Sequence, residues 1–307
     1  MQAYFLEGSN AKYFFFPNTE ETIISQSKFS IIFIGAEVST KQKVIIKQLS
    51  PELFDNQSAK LKFFVEASVS MKHPGIVKTI DLVIENENIF IIQEFIQGPT
   101  LKTLLSDKRF YDYKYNYFFI KIIAQTCDAL DYMHKSGYCH CDVKPDNIMI
   151  VQKYSDLDID DPEVKLIDLG NIKPAFKERV FDAGKRTYNI MYGSPEQIFG
   201  FDNFIGDHSD IFSLGLVLFE AIAKEPALNT SNPMFIKRLQ AVTPVPEHYR
   251  IDNELASIIA KATVKPALIK STSKYTREEI GMKIVESLQK RYQKALDMKE
   301  DLLSLIK

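Results

Sequence analysis

An α+β fold in two parts, a small β-rich part followed by a larger helical one, is predicted by three observations. β-Branched and aromatic residues crowd the first third of the chain in short runs bounded by turn residues. Beyond Gln97-Gly98-Pro99 the apolar residues recur at helical spacing instead. Within the first part only one stretch, Ser58–Lys72, carries the helical pattern.

Taken in order, Ser30–Glu37, Lys43–Leu49, Ile76–Glu85 and Asn88–Phe95 are predicted strands, the last two joined by a hairpin turn at residues 85–88, Glu-Asn-Glu-Asn. In Ser58–Lys72 the apolar side chains of Leu61, Phe64, Val65, Val69 and Met71 fall near one face, and His73-Pro74-Gly75 stops the helix. Gln97–Pro99 is the candidate hinge between residues 1–97 and 98–307. Tyr115–Lys135 is a predicted helix with a stripe of Phe119, Ile122, Ile123, Thr126, Leu130 and Met133, and Gly137 lies just past its end. Ile148–Val151 and Val164–Ile167 are short strands on either side of an acidic turn. Ser209–Lys224 and Glu254–Thr263 read as buried helices, and Arg277–Ile306 as one or two amphipathic ones.

A chain of 307 residues, 45% hydrophobic and 25% charged, is in the ordinary range for a soluble globular protein with a sizeable core. Its formal net charge of −2 supplies no basic field, so neither nucleic acid nor an anionic membrane surface is an expected partner. Three cysteines make no disulfide framework and suit a reducing compartment. Cys139-His140-Cys141 lacks a fourth ligand and the usual spacing for zinc. The acidic turn at Asp156–Asp161 imitates the start of a calcium loop but has neither its central glycine nor its terminal glutamate, and a solvated turn is expected. The first residues carry no basic stretch followed by a long apolar one, and the strongest apolar run, Leu214–Ala223, contains Glu220. A cytoplasmic location with no membrane partner is therefore the expectation.

Two segments carry the chemistry. Residues 140–147 read His-Cys-Asp-Val-Lys-Pro-Asp-Asn, and residues 168–170 read Asp-Leu-Gly. Both fall in loops beside predicted strands. Together they supply carboxylates, an amide and a lysine, the groups needed to hold metal ions on phosphates and to accept a proton from an attacking hydroxyl. They resemble the catalytic and metal-binding loops of the eukaryotic-type (Hanks-type) serine/threonine protein kinases. The resemblance covers about residues 20–290, as one domain with a β-rich lobe and a helical lobe.

The family's parts are then implied residue by residue. Lys47, ending Val44-Ile-Ile-Lys47, corresponds to the strand lysine on the α- and β-phosphates, and Glu66 in the predicted helix to its ion-pair partner. Asp142 corresponds to the base that accepts the substrate hydroxyl's proton, and Lys144 to the cation that neutralises the transferring phosphoryl group. Asn147 and Asp168 correspond to the ligands of magnesium, with manganese as an alternative. Gln93 stands at the gatekeeper position, Glu94 and Ile96 where backbone groups meet adenine, and Ile24, Ile32 and Met149 where the ring is sandwiched. Gly193-Ser-Pro-Glu-Gln197 resembles the motif ending the activation segment, and Ser209–Gly215 the helix start whose aspartate braces the catalytic loop. The implied function is transfer of the γ-phosphate of ATP to serine or threonine of a protein, since Lys144 is the serine/threonine type of catalytic-loop residue. A scaffold that binds nucleotide without turnover and a kinase of a small or unusual acceptor are the alternatives.

The sequence departs from the family's pattern at several places. Ser25, Ser27 and Ser30 stand at the three glycine positions of the loop over the phosphates, while Phe29 keeps its aromatic tip. A Cβ at each site predicts a strained loop, at about 1–3 kcal/mol per forced residue, lying farther from the nucleotide or on a different path; the alternative is three serines in ordinary strand conformations and a hairpin that does not close. Either predicts weak ATP affinity unless the hydroxyls donate to phosphate. Cys141 replaces the arginine before the catalytic aspartate, and Asn189 a threonine that touches it. Lys274 is expected in place of the arginine that pairs with Glu196, and Ile45 replaces a small residue beside adenine. None of these changes removes a residue that performs the transfer.

Overall fold

The computed structural model describes residues 2–174, 188–228, 232–269 and 271–306. The chain forms two compact units, one running to Ile96 and taking in Asp168–Gly170, the other holding most of the chain from Gln97 onward.

Among the described residues the first unit holds a seven-stranded antiparallel sheet. Its strands are β1 (Tyr4–Glu7), β2 (Lys12–Phe15), β3 (Ile23–Gln26), β4 (Ser30–Glu37), β5 (Lys43–Leu49), β6 (Thr79–Glu85) and β7 (Asn88–Glu94). They lie in the order β1-β2-β4-β5-β7-β6, with β3 paired to the stretch of β4 that β2 leaves open. The β6–β7 hairpin closes through Asn86 and Glu87, at φ 49° and 57°, the left-handed pair that a two-residue turn of matching twist requires.

Pairing register sorts the side chains onto two faces. Lys47 lies opposite Ile32 and Ile91, and Ile45 opposite Ile34 and Gln93, so all of these share one face. The other face carries Phe33, Val44, Ile46, Phe90 and Ile92, which form a core with Leu6, Tyr13, Phe15 and Val83. The β1–β2 hairpin, which the sequence pattern does not predict, supplies three of those residues. It is tied to β6 by Asn10, whose backbone N–H donates to Asp81 at 2.8 Å, and by the Tyr13 hydroxyl at 3.3 Å from the same carboxylate. Burial, helped by Asp81, pushes the Tyr13 hydroxyl up to about 12.

The helix α1 (Gln57–Ser68) is capped by the Asn56 side chain, which accepts from Ala59 N. It ends before the expected Lys72. The Ser68 hydroxyl back-bonds to the Val65 carbonyl at 2.8 Å, and Val69 is already extended. His73 then builds a separate turn, its carbonyl accepting from Ile76 N. Ala59 and Phe63 of α1 pack on Leu49, Ile89 and Ile91, on the Lys47 side of the sheet. This packing delivers Glu66, one turn beyond Phe63, to Lys47.

The second unit is helical. In chain order it comprises α2 (Leu101–Ser106), α3 (Asn116–Lys135), the two-stranded pairs β8 (Tyr138–Cys139) with β11 (Lys173–Pro174) and β9 (Ile148–Ile150) with β10 (Val164–Leu166), then α4 (Pro195–Phe199), α5 (Asp207–Ala223), α6 (Pro233–Val242), α7 (Asn253–Ala262), α8 (Arg277–Leu288) and α9 (Ala295–Ser304). Every member of the α3 stripe named above is buried. Gly137, at φ 81°, supplies the left-handed residue after the helix and donates its N–H to the His134 carbonyl. α5 is buried on all sides from Ser209 to Ala223 and packs against α3 and α7. α9 lies along α3, where Lys299 reaches the Asp128 carboxylate at 2.6 Å. Residues 277–306 thus form two helices, not one. Among the described residues no helix is long and apolar enough to cross a membrane.

Candidate active site

In the first unit the Lys47 ammonium lies 2.8 and 2.9 Å from the two Glu66 carboxylate oxygens and 2.9 Å from Asp168 Oδ1. Lys47 and Glu66 are buried, while the Asp168 side chain is 41% exposed. Burial alone would push the lysine down. The carboxylates of Glu66 and Asp168 outweigh it and push it up, so the amine stays charged. Asp168 has φ 61°, a left-handed conformation that a non-glycine residue holds only under outside constraint. Gly170 follows closely: a Cβ there would sit 3.2–3.3 Å from Asp168 Oδ1, Glu66 Oε2 and Lys47 Nζ, so its backbone can lie against the cluster.

The other first-unit candidates surround that face. Ile32 is on it and half-buried, as is Ile45. Ile24 is the extra residue of a β-bulge opposite Ile32 and Phe33, and is 52% exposed. Glu94 ends β7, pairing through its N–H with the Lys78 carbonyl and through its carboxylate with the Lys78 N–H. Ile96 is buried at the end of the unit. Gln93 is buried with its amide nitrogen lacking a hydrogen-bond partner among the described residues, as does the hydroxyl of its cross-strand neighbour Thr79. Such an orphaned donor on the Lys47-bearing face fits a ligand that brings an acceptor.

The serine loop corrects the expectation of strain or an open hairpin. β3 and β4 pair down to Gln26 opposite Ile31, and Ser27 N donates to the Ser30 carbonyl at 2.9 Å, so the hairpin closes. None of Ser25, Ser27 and Ser30 has positive φ. The Ser27 hydroxyl accepts from Phe29 N and Ser30 N at 3.2 and 3.1 Å, a local serine turn that takes the place of glycine. Glycine at 25, 27 and 30 therefore has no strain to relieve. The triple variant is expected to bind MgATP no more tightly than the wild type in calorimetry, and its amides at 29 and 30 to exchange faster with solvent. Tighter binding would mean that the serine side chains keep the loop off its ligand.

In the second unit Lys144 Nζ lies 2.6 Å from Asp142 Oδ2. Asn147 Nδ2 donates to the Asp142 carbonyl at 2.8 Å and approaches Oδ2 at 3.4 Å. With its nitrogen turned to Asp142, the amide oxygen is the end that faces away. Met149, half-buried in β9, bridges to Thr100. The loop is held by Asp210 at the start of α5. Its carboxylate accepts from His140 N at 2.8 Å, from Cys141 N at 2.7 Å and from the His134 ring at 2.9 Å. Burial would raise this carboxyl, but His134, His140 and the Cys141 N–H hold it below the usual range. The His140 ring nitrogen Nε2 donates to the Ile167 carbonyl, which leaves Nδ1 to accept from Asp142 N. Cys141 has φ 65° and is buried.

The three residues of the Cys-His-Cys run have separate partners. Cys139 Sγ donates to Asp207 and Cys141 Sγ to the Cys139 carbonyl. Burial pushes the Cys139 thiol up. In the acidic turn, Asp158 Oδ1 accepts from Asp160 N and Asp161 N. Asn189 turns its side chain onto its own loop, where Oδ1 accepts from Met191 N at 2.9 Å.

One expectation fails outright. Lys274 is exposed, and Glu196 pairs instead with Arg291, whose Nη1 bridges both carboxylate oxygens at 2.9 and 3.2 Å. Both side chains are fully buried, Ser209 Oγ donates to the same carboxylate at 2.6 Å, and Arg291 Nε holds the Val264 carbonyl. Lys274 precedes α8 in the chain, whereas Arg291 follows it. The adjacent Tyr292, an aromatic residue in a polar stretch and fully buried, was the readable signal.

Residues 19–294 match the family model described as the protein kinase domain. Among curated proteins, the chain is 28% identical over 228 residues to a protein of Clostridium perfringens named "Probable serine/threonine-protein kinase", covering 72% of this chain and 31% of that one. It is 26% identical over 292 residues to the serine/threonine-protein kinase PknB of Mycobacterium leprae, covering 92% and 42%. It is 27% identical over 261 residues to PknB of Mycobacterium tuberculosis, covering 79% and 39%. The chain spans less than half the length of these relatives. With the family's model covering most of it, this chain belongs to the protein kinase domain family.

Proposed function

We propose that this chain transfers the γ-phosphate of ATP to serine or threonine hydroxyls of a protein substrate. The observation that carries the reading is the Asp142 carboxylate with Lys144 at 2.6 Å and Asn147 at 3.4 Å, in a loop anchored to a buried aspartate. Asp142 accepts the proton of the attacking hydroxyl, and Lys144, already 2.6 Å away, carries positive charge to the transferring group. Lys47, kept charged by Glu66 and Asp168, orients the nucleotide phosphates. The backbone at Glu94 and Ile96, with Ile24, Ile32 and Met149, is assigned to adenine. Ser25, Ser27 and Ser30 form the loop over the phosphates.

The oxygen donors of Asp168 and Asn147 fit a hard divalent cation, and Gly170 leaves Asp168 room. Magnesium, or manganese in its place, would be held by these residues and would neutralise phosphate charge. The location we infer is cytoplasmic.

Incubation with γ-labelled ATP, magnesium and a generic protein acceptor tests the proposal. Acid hydrolysis is expected to release labelled phosphoserine or phosphothreonine. Nucleotide binding without consumption would favour a scaffold, and consumption of ATP with no protein labelled would favour another acceptor.

Activity is expected not to require a phosphorylated activation segment. The family's arginine before the catalytic aspartate would bind such a phosphate, and here Cys141 is buried and brings no cation. Thr187, and Lys185 and Arg186 beside it, lie outside the described residues. Dephosphorylated protein and Thr187→Ala should keep their initial rates. A loss beyond about tenfold, or 1.4 kcal/mol of barrier, contradicts this.

A further inference from the structure

We infer that Gln197 is a positioning residue for the base, a role that rests on the reading of Asp142 given above. Gln197 is buried in α4 and uses both ends of its side-chain amide. Its Oε1 accepts from Ser194 N at 2.9 Å and Ser194 Oγ at 3.1 Å, which caps α4. Its Nε2 donates to the Cys141 carbonyl at 2.9 Å. The peptide joining Cys141 to Asp142 is therefore gripped from outside its own loop.

This grip matters because of where Cys141 sits. Its φ of 65° is unfavourable for a residue with a Cβ and persists only where its surroundings over-determine it. Asp210 Oδ1 holds the N–H side of the residue at 2.7 Å, and Gln197 holds the carbonyl side. Between them the two clamps fix both peptide planes flanking Cys141, and so the direction in which the Asp142 side chain leaves the backbone. Cys141 itself contributes no charge or long side chain to this task.

The two ends of the amide can be separated by substitution. Gln197→Glu keeps the acceptor that caps α4 but sets a carboxylate oxygen against the Cys141 carbonyl. Only when protonated does that side chain donate again. The expected result is a kcat lowered at least tenfold at pH 8, with KM for ATP within twofold of wild type, and a rise in relative kcat as pH falls towards 6. A helix-capping role alone would give no such pH dependence. Gln197→Met, which removes both ends without adding charge, gives a readout independent of catalysis. Hydrogen exchange in the peptide covering residues 138–147 is expected to quicken at least tenfold in this variant, whether or not the wild type transfers phosphate. Exchange there equal to wild type overturns the inference. So does a Gln197→Glu protein with wild-type kcat, or one whose defect is the same at every pH. A wild type without transferase activity, combined with quickened exchange in Gln197→Met, would leave the clamp standing and remove the kinase reading instead.

Discussion

Asp142→Asn is expected to lower turnover by about 10²–10⁴, the range for loss of a positioned base, while ATP still binds. The amide is isosteric with the carboxylate and can still meet Lys144 and Asn147, which now surround Asp142 at 2.6 and 3.4 Å. It cannot take up the substrate's proton. Because the backbone of this loop is fixed through Asp210 and not through the Asp142 side chain, the fold around it should persist. Steady-state rates and calorimetric binding of MgATP, measured on both proteins, check the two halves of the expectation. Equal rates would mean that the base lies elsewhere.

The largest effect on stability is expected at Arg291. Removing one partner of a buried ion pair costs about 3–5 kcal/mol, because the other charge is left without compensation. Arg291→Met leaves Glu196 the Ser209 hydroxyl and the neighbourhood of His208, but no guanidinium in contact. Lys274→Ala, at the exposed position that the sequence suggests, should stay within about 0.5 kcal/mol of wild type. Denaturant midpoints of the two variants decide between the assignments, and equal losses would contradict the pairing seen here.

Acid should act through the same pair. Burial would raise the Glu196 carboxyl, but the Arg291 guanidinium beside it wins and holds it below its ordinary 4.5. A carboxyl with a depressed folded value stabilises the native state above the unfolded value and loses that contribution as pH falls through the folded one. The gap between wild type and Arg291→Met should accordingly narrow below pH 4.5.

Some of this was legible in the sequence, and the rest was hidden for identifiable reasons. Ser30–Glu37 and Lys43–Leu49 have the expected bounds because their alternation places one set of residues in a core and the other on the Lys47 face. β1 and β2 escaped because four-residue strands give too little alternation, although Gly8-Ser-Asn10 between two aromatic runs is a hairpin signal. Lys47 and Glu66 meet because a strand and the helix packed on its face are local neighbours. Arg291 was hidden because its partner is 95 residues away and α8 intervenes, a matter of tertiary packing that local pattern does not encode. The closed serine loop was not legible because the Ser27 hydroxyl closes its own turn, which makes positive φ unnecessary there. Gln197 escaped for a similar reason: its partner is a backbone carbonyl, which has no sequence signature.

The proposed phosphoryl transfer from ATP, with Asp142 as base, is best put to a single-turnover measurement. The chain, in excess over γ-labelled ATP, is mixed with magnesium and a protein acceptor. Label on serine or threonine is then followed in the wild type and in Asp142→Asn, with a chelator arm for each. Label is expected to appear in the wild type, to need the cation, and to form about 10²–10⁴ times more slowly in the variant. Nucleotide that binds the wild type while no label leaves it, or label that forms equally fast in Asp142→Asn, would contradict a kinase that uses Asp142 as its base.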